Sequence, residues 1–555
     1  MKKILSIIFT ILIVNISFAQ NSISETDKIA AWTKTWGFLK YFHPAVTHGT
    51  MDWDQIYLNE LDSLGKIYSR EDLNLQFIDI IKNLNSKRET YVNPAETEFV
   101  DTIINNLYNS DQFSDELMQY FKEIALQRIS GKNRFLDFNE IDHPVFLEKD
   151  TYKDIHYPSK SIRLLALARI WATIEYFSPH KNRIELGWQN VLENQIPKFE
   201  KAKDSLEYYK AILNTFSYLR DSHSSLTFHP DKYSPLGDKG FQLYFQLIED
   251  KVVATNFLPQ SKSLKQKDQI EYGDILISID GISVDTLLNE YRQFVGGSHK
   301  ASRDKFITSN YLRLGWNDTA VVEVERNNEI KKLTLHRYTG NYISKLISED
   351  SLAPSWKEID ENIGFIRTDL MTNEEFYKAM RKLKKKKALI IDLRYGYNFD
   401  KLNSEVLAYY FSSEEKKYAN MYNISKDIPG KFYEINPVFM IGIRQEPKYK
   451  GKLIILMDEY VQSASETALS SIETFSNVIL IGQPTAGSNG NAASINIPGN
   501  YSVYFTAAGM SYSDGTSAVG DGIKPDIYVK RTIEGIKNNK DEILEKAIEY
   551  LKLNF

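Results

Sequence analysis

A serine that follows a buried strand and opens a helix is well placed to attack a carbonyl. The strand holds it rigidly, and the helix start leaves backbone N–H groups to face the oxyanion that forms. Ser463-Ala464-Ser465-Glu466 has this setting, because the apolar run 453–457 reads as a strand and 463–475 as a helix. Ser463 would attack, and the N–H of Ala464 would be the nearest oxyanion donor. Ser followed three residues later by Glu also spells a capping box, so the tetrapeptide alone leaves a structural reading open.

The elements that must position this serine form an alternating series. Residues 363–367 read as a strand, 374–383 as a helix, 388–393 as a buried strand, 452–457 as another strand and 541–551 as a closing amphipathic helix. Upstream, 234–338 is rich in short Val, Ile and Phe runs. There Gly273-Asp274-Ile275-Leu276-Ile277-Ser278-Ile279-Asp280-Gly281 reads as turn, strand, turn, which gives a small β-rich module. The region before it carries a repeat. Trp36, Tyr41, Phe42, Pro44 and Trp53 recur as Trp171, Tyr176, Phe177, Pro179 and Trp188 at one constant offset, on segments of helical apolar spacing. Two copies of one helical unit account for this, and the copies diverge where Arg88 stands in the register of His223.

Several motifs in order resemble the tail-specific (carboxy-terminal processing) serine peptidases. Ala388-Leu389-Ile390-Ile391-Asp392-Leu393-Arg394 is similar to a family strand ending in Asp-Leu-Arg, and Gln462-Ser463-Ala464-Ser465-Glu466 resembles the nucleophile motif. Gly482-Gln483-Pro484-Thr485 resembles the Gly-Glu-Pro-Thr segment, and Gly522-Ile523-Lys524-Pro525-Asp526 the closing Gly-Val-x-Pro-Asp. The resemblance implies an oxyanion hole built from Ala464 and the loop after Arg394, where Gly396 eases close backbone approach. In the lysine-dependent branch Gly-Lys-Gly follows Pro-Thr, whereas this chain has Gly487-Ser488-Asn489-Gly490. The tricorn-like branch takes a histidine from an N-terminal segment, and Leu219-Arg220-Asp221-Ser222-His223-Ser224 resembles that segment. The implied base is His223, with Ser222 orienting its ring, and an imidazole of pKa near ~6.5 suits the exchange of a serine proton. Where that branch often carries a Glu, this chain has Val519, and Asp521 is the nearest acidic substitute. The β-rich module resembles a PDZ domain, which implies peptide binding around Gly240, Phe241 and Leu243.

The expected fold is multidomain α/β: N-terminal helical repeats, a PDZ-like module and a crotonase- or ClpP-like peptidase domain. The expected parts are a signal peptide at 1–19, repeat copies at 20–145 and 146–233, the PDZ-like module at 234–340, the peptidase domain at 350–532 and a terminal helix at 533–555. Lys2 and Lys3, an apolar run and Ser17-Phe18-Ala19 before Gln20 predict export to the periplasm or beyond. With no cysteine, disulfides and thiol nucleophiles are excluded, and a net charge of −5 gives no reason to expect nucleic acid as a partner. Peptide or unfolded protein substrates are expected, with no metal or organic cofactor and no stable membrane insertion. The oligomeric state is left open. The competing reading keeps the peptide groove but not hydrolysis, because 395–399 lacks the usual Gly-Gly. A carbohydrate-binding or sugar-cleaving reading, which the many Trp and Tyr residues would suit, ranks last, since no pair of carboxylates stands out for that acid–base work.

Overall fold

The computed structural model describes residues 23–84, 99, 103–105, 108, 112–126, 133–148, 152, 154–155, 157–228, 235–257, 270–339, 354–398, 400–412, 414–435, 439–442 and 448–555. The leader at 1–19 and Arg88 lie outside these residues. The chain divides into two compact units, one comprising residues up to Ile212 with 423–433 and 493–507, the other Leu213–Tyr422, Glu434–Ala492 and Ala508–Phe555.

Helices α1 (Glu25–Phe42), α2 (Trp53–Leu64) and α3 (Arg70–Asn83) of the first unit start 135 residues before α4 (Lys160–Phe177), α5 (Trp188–Lys201) and α6 (Ser205–Ser217, of which 205–212 belong to this unit), going from 25 to 160, 53 to 188 and 70 to 205. Trp36 and Trp53 donate their indole N–H to each other's carbonyl at 2.9 and 3.1 Å, and Trp171 and Trp188 do the same at 3.2 and 3.0 Å. α1 and α4 are buried on nearly every side, so their backbones must approach closely, and a Cβ on Gly37 would lie 2.7 Å from that of Ala172. Rings cross between the same helices, Tyr41 with Phe177 at 4.9 Å and Phe42 with Tyr176 at 5.3 Å. Polar groups on such helices need partners inside. Lys40 meets Glu148, while Arg169 meets Asp54 and Glu148.

Two sheets of the second unit position the candidate site. The first has strands β1 (Lys239–Phe241), β2 (Leu243–Ile248), β3 (Lys251–Phe257), β4 (Ile275–Ile279), β5 (Thr319–Arg326) and β6 (Glu329–Thr339) in the order β2-β3-β4-β5-β6-β1, with Leu314–Gly315 beyond β1. The turn after β4 puts Asp280 at φ 49° and Gly281 at φ 81°, which explains the Asp-Gly pair there. α7 (Val284–Arg292) and α8 (Lys300–Ser309) follow β4, and α8 packs beside β2 at the sheet edge.

The second sheet runs β7 (Trp356–Glu358), β8 (Ile363–Arg367), β9 (Ala388–Asp392), β10 (Lys452–Met457), β11 (Val478–Gly482) and β12 (Ile527–Tyr528) in simple spatial order. β7 is antiparallel to its neighbour and the other pairings are parallel. Alternation along these strands feeds two cores. Leu389, Ile391, Leu453 and Ile455 face α9 (Asn373–Leu383) and α10 (Ala464–Glu473). Ile390, Ile454 and Leu456 face Ile543, Ala547 and Leu551 of α11 (Glu542–Leu553). No helix among the described residues is long and apolar enough to cross a membrane.

Candidate active site

β10 ends at Met457, a short loop follows, and the chain turns sharply into α10 at Ser463, whose φ of 55° and ψ of −120° are unusual for a residue with a side chain. Two acceptors hold this turn. The Ser463 N–H donates to the Ser488 carbonyl at 2.9 Å and to the Glu466 carboxylate at 3.2 Å. Glu466, fully buried, also accepts from Thr485 Oγ1 at 2.6 Å, Gly487 N–H at 2.9 Å and Ser488 N–H at 2.9 Å. Burial pushes its carboxyl up to about 7, and the Thr485, Ser488, Gly487 and Ser463 donors pull it back. Ser463 itself is only half-buried. The Ala464 N–H, first of the helix, donates to no group among the described residues and so remains available to an anion.

Residues 221–223 lie against this turn. Gln462 Nε2 donates to the Ser222 carbonyl at 3.0 Å, and Ser488 Oγ donates to Asp221 Oδ1 at 3.1 Å. The same Asp221 oxygen accepts the His223 N–H at 2.9 Å and stands 3.7 Å from His223 Nδ1. The side chain of Ser222 is engaged with Ser298: the Ser298 N–H donates to Ser222 Oγ at 2.9 Å, and the Ser222 N–H donates to Ser298 Oγ at 3.0 Å. His299 Nε2 reaches the Thr485 carbonyl at 2.8 Å, tying the start of α8 to the loop that feeds Glu466. His223, which was grouped by sequence with the second helical copy, thus falls in the same compact unit as Ser463.

The remaining expected residues are placed less directly. The Gly396 N–H, at φ 115°, donates to the Leu393 carbonyl at 3.0 Å. Asp521 is exposed in its Gly-Asp-Gly turn, and its carboxylate makes no hydrogen bond or ion pair among the described residues. Phe241 and Leu243 are fully buried and Gly240 is interior, so only their backbone could meet a peptide. The Phe241 carbonyl is already taken by the Arg313 guanidinium at 2.9 and 2.6 Å.

Arg394 of the Asp-Leu-Arg segment is a clamp. It donates to both Asp392 oxygens at 2.9 and 2.7 Å and to both oxygens of Asp541, the α11 cap, at 2.8 and 2.7 Å. Sequence reasoning did not single out Asp221, Ser298, Ser488 or Lys305 as site residues. Asp221 sits in the hexapeptide that carries His223, which was the available signal, whereas Ser298 had none.

Two cavities, of about 490 and 460 Å³, share Gln246 of β2, Lys305 of α8, Tyr460 and Arg531. Lys305 Nζ donates to the Glu459 carbonyl and to Gln462 Oε1, both at 3.1 Å, and burial pulls its ammonium below the ordinary range against Glu459, Asp458 and Glu466. Asp458, buried beside Glu459, is pushed up to about 7 although Arg531 donates to it at 3.0 Å. Among the described residues no group of three or more His, Asp and Glu side chains could hold a metal ion.

Residues 362–529 match the model of Peptidase family S41. Similar solved structures include mature CPAF complexed with lactacystin, at 13% identity and TM-score 0.54, covering 71% of this chain and 98% of that one. A CPAF mutant has 12% identity and TM-score 0.55 over 70% and 96% of the two chains, and mature CPAF has 14% and 0.51 over 71% and 96%. At such identity these likenesses establish the fold. The S41 match covers the strand bearing Asp392, the Ser463 turn and the Gly482–Thr485 segment, so residues 362–529 are a domain of the tail-specific serine peptidase family and the chain is a serine-type peptidase.

Proposed function

We propose that this chain is an exported serine endopeptidase in which Ser463 attacks the scissile carbonyl and His223 takes the Ser463 proton, then returns it to the leaving amine. The observation that carries this reading is the Ser463 turn itself: a half-buried serine at φ 55° between β10 and α10, with the Ala464 N–H unclaimed among the described residues and 221–223 laced to it through Gln462 and Ser488. The Ala464 N–H is the first oxyanion donor. Gly396 would join it only if binding of substrate freed its N–H from Leu393.

The β-rich sheet with α8 at its edge supports the PDZ-like reading, and a peptide held in the cavity of about 490 Å³ between β2 and α8 would meet Asp458 and Tyr460, on the loop that ends at Ser463. Export rests on the leader-like residues 1–19. N-terminal sequencing of the secreted protein should begin at Gln20.

The decisive experiment is labelling with a fluorophosphonate followed by peptide mapping. Adduct on Ser463 that is absent in Ser463→Ala is the expected result. No adduct on any serine, in protein that still binds unfolded polypeptide, would instead favour a groove without hydrolysis.

A further inference from the structure

We infer that Asp221 is the positioning residue of the base, its carboxylate fixing the His223 imidazole so that Nδ1 faces Asp221 and Nε2 faces Ser463; this rests on His223 being the base. Asp221 is buried, and its Oδ1 gathers three contacts at one point: the His223 N–H at 2.9 Å, Ser488 Oγ at 3.1 Å and His223 Nδ1 at 3.7 Å. The first two bonds fix the carboxylate on both the histidine segment and the nucleophile's loop. Ser488 closes the circuit, since its carbonyl accepts the Ser463 N–H while its own N–H donates to Glu466. Across Ser488 stands Val519, bridged to it, apolar and buried, so that side offers no charge.

The other ionisable groups about this loop are engaged elsewhere. Glu466 serves Ser463, Thr485, Gly487 and Ser488, Lys305 holds Gln462 and Glu459, and His299 caps α8 and bonds Thr485. Asp521, exposed, makes no ion pair among the described residues. As Ser463 Oγ forms its bond to the carbonyl carbon, its proton moves to Nε2. Asp221 stays ionised and stabilises the imidazolium that results. The 3.7 Å separation is ion-pair distance and longer than a hydrogen bond, as is common before substrate binds.

The test compares full-length wild type, Asp221→Asn, Ser488→Ala and His223→Ala on a fluorogenic peptide across pH. Asp221→Asn keeps the shape and an acceptor for both donors but loses the charge. kcat should fall by about 10²- to 10⁴-fold with KM nearly unchanged. The acid limb of its residual kcat/KM should move to lower pH, because an imidazolium without its carboxylate gives up its proton more readily. Ser488→Ala, which frees one side of the carboxylate, should shift the limb in the same direction by less. NMR titration of the His223 ring, assigned by its loss in His223→Ala, should show the same downward shift in Asp221→Asn.

If His223→Ala is inactive but Asp221→Asn leaves both limb and ring titration unmoved, the positioning role is overturned while the base assignment stands. If His223→Ala retains wild-type kcat/KM, the base assignment itself has failed. Should Asp221→Asn not fold, Ser488→Ala decides the matter alone: an unshifted limb overturns the proposal.

Discussion

Ser463→Gly should abolish hydrolysis and yet make the protein more stable. At an ordinary helix cap, replacing Ser by Gly loses a few tenths of a kcal/mol, and the freer unfolded chain of glycine loses a further ~0.5 to 1 kcal/mol. Here the backbone sits at φ 55° and ψ −120°, a region that costs a residue with a Cβ about 1 to 3 kcal/mol and glycine almost nothing. Taking the middle of each range, relief of about 2 kcal/mol exceeds losses of about 1 kcal/mol, leaving a gain near ~1 kcal/mol. For a unit of this size that raises the melting transition by about 1 to 3 °C. Differential scanning calorimetry of wild type, Ser463→Gly and Ser463→Ala measures it, and Ala, which keeps the strain and loses the hydroxyl, should melt at or slightly below wild type. A Gly variant that melts below wild type would show that no strain is stored at Ser463. The nucleophile's exposure would then need another source than a forced turn.

Further outcomes follow from the neighbouring groups. Glu466 has its folded carboxyl at about 7 against an ordinary 4.5, so the fold holds a proton in that window which the unfolded chain has released. Its contribution to stability is full below about 4.5 and lost as pH rises through 7, up to about 3 kcal/mol. Denaturant unfolding from pH 4.5 to 8 should show this decline, and Glu466→Gln should flatten it; an unchanged slope in the Gln variant would assign the decline elsewhere, with Asp458, also at about 7, the next group to replace. Arg394→Met strands two carboxylates that it now clamps, so it should cost about 3 to 5 kcal/mol in urea unfolding and loosen the α11 end to proteolysis. A lysine base would most naturally be Lys305, since Lys452 starts β10 bonded to the Asn554 carbonyl and Lys524 is exposed. Lys305→Met should therefore keep kcat/KM within about tenfold of wild type while His223→Ala loses about 10³-fold or more, and the reverse pattern would return the base to a lysine.

What could be read from sequence, and what could not, divides by distance along the chain. Strands 363–367 and 452–457 match their expected limits because parallel strands buried on both faces spell continuous apolar runs, a local signal. The last helix runs 542–553 rather than 541–551 because Asp541 is its cap, held as such by Arg394. Ser463 was visible for the same local reason, as a strand, a turn and a helix in succession. Glu466 was visible too, but in the wrong company: a capping box explains one of its bonds, while the other three come from Thr485, Gly487 and Ser488, about twenty residues on. The candidate acid near the closing motif, Asp521, is exposed in its turn. The carboxylate beside His223 is two residues away in sequence, and what holds it is a serine 267 residues further along. No periodicity or composition encodes such a bond. It follows from a register between β9, β10 and β11 that brings the Ser463 turn and the loop after Gly482 to one end of the sheet, where 221–223 can meet both. The local settings of Ser463 and Glu466 are thus legible wherever one segment defines them. Their mutual geometry depends on strand order, and the bonds between Ser222 and Ser298 become visible only in the folded chain, because the two stand 76 positions apart.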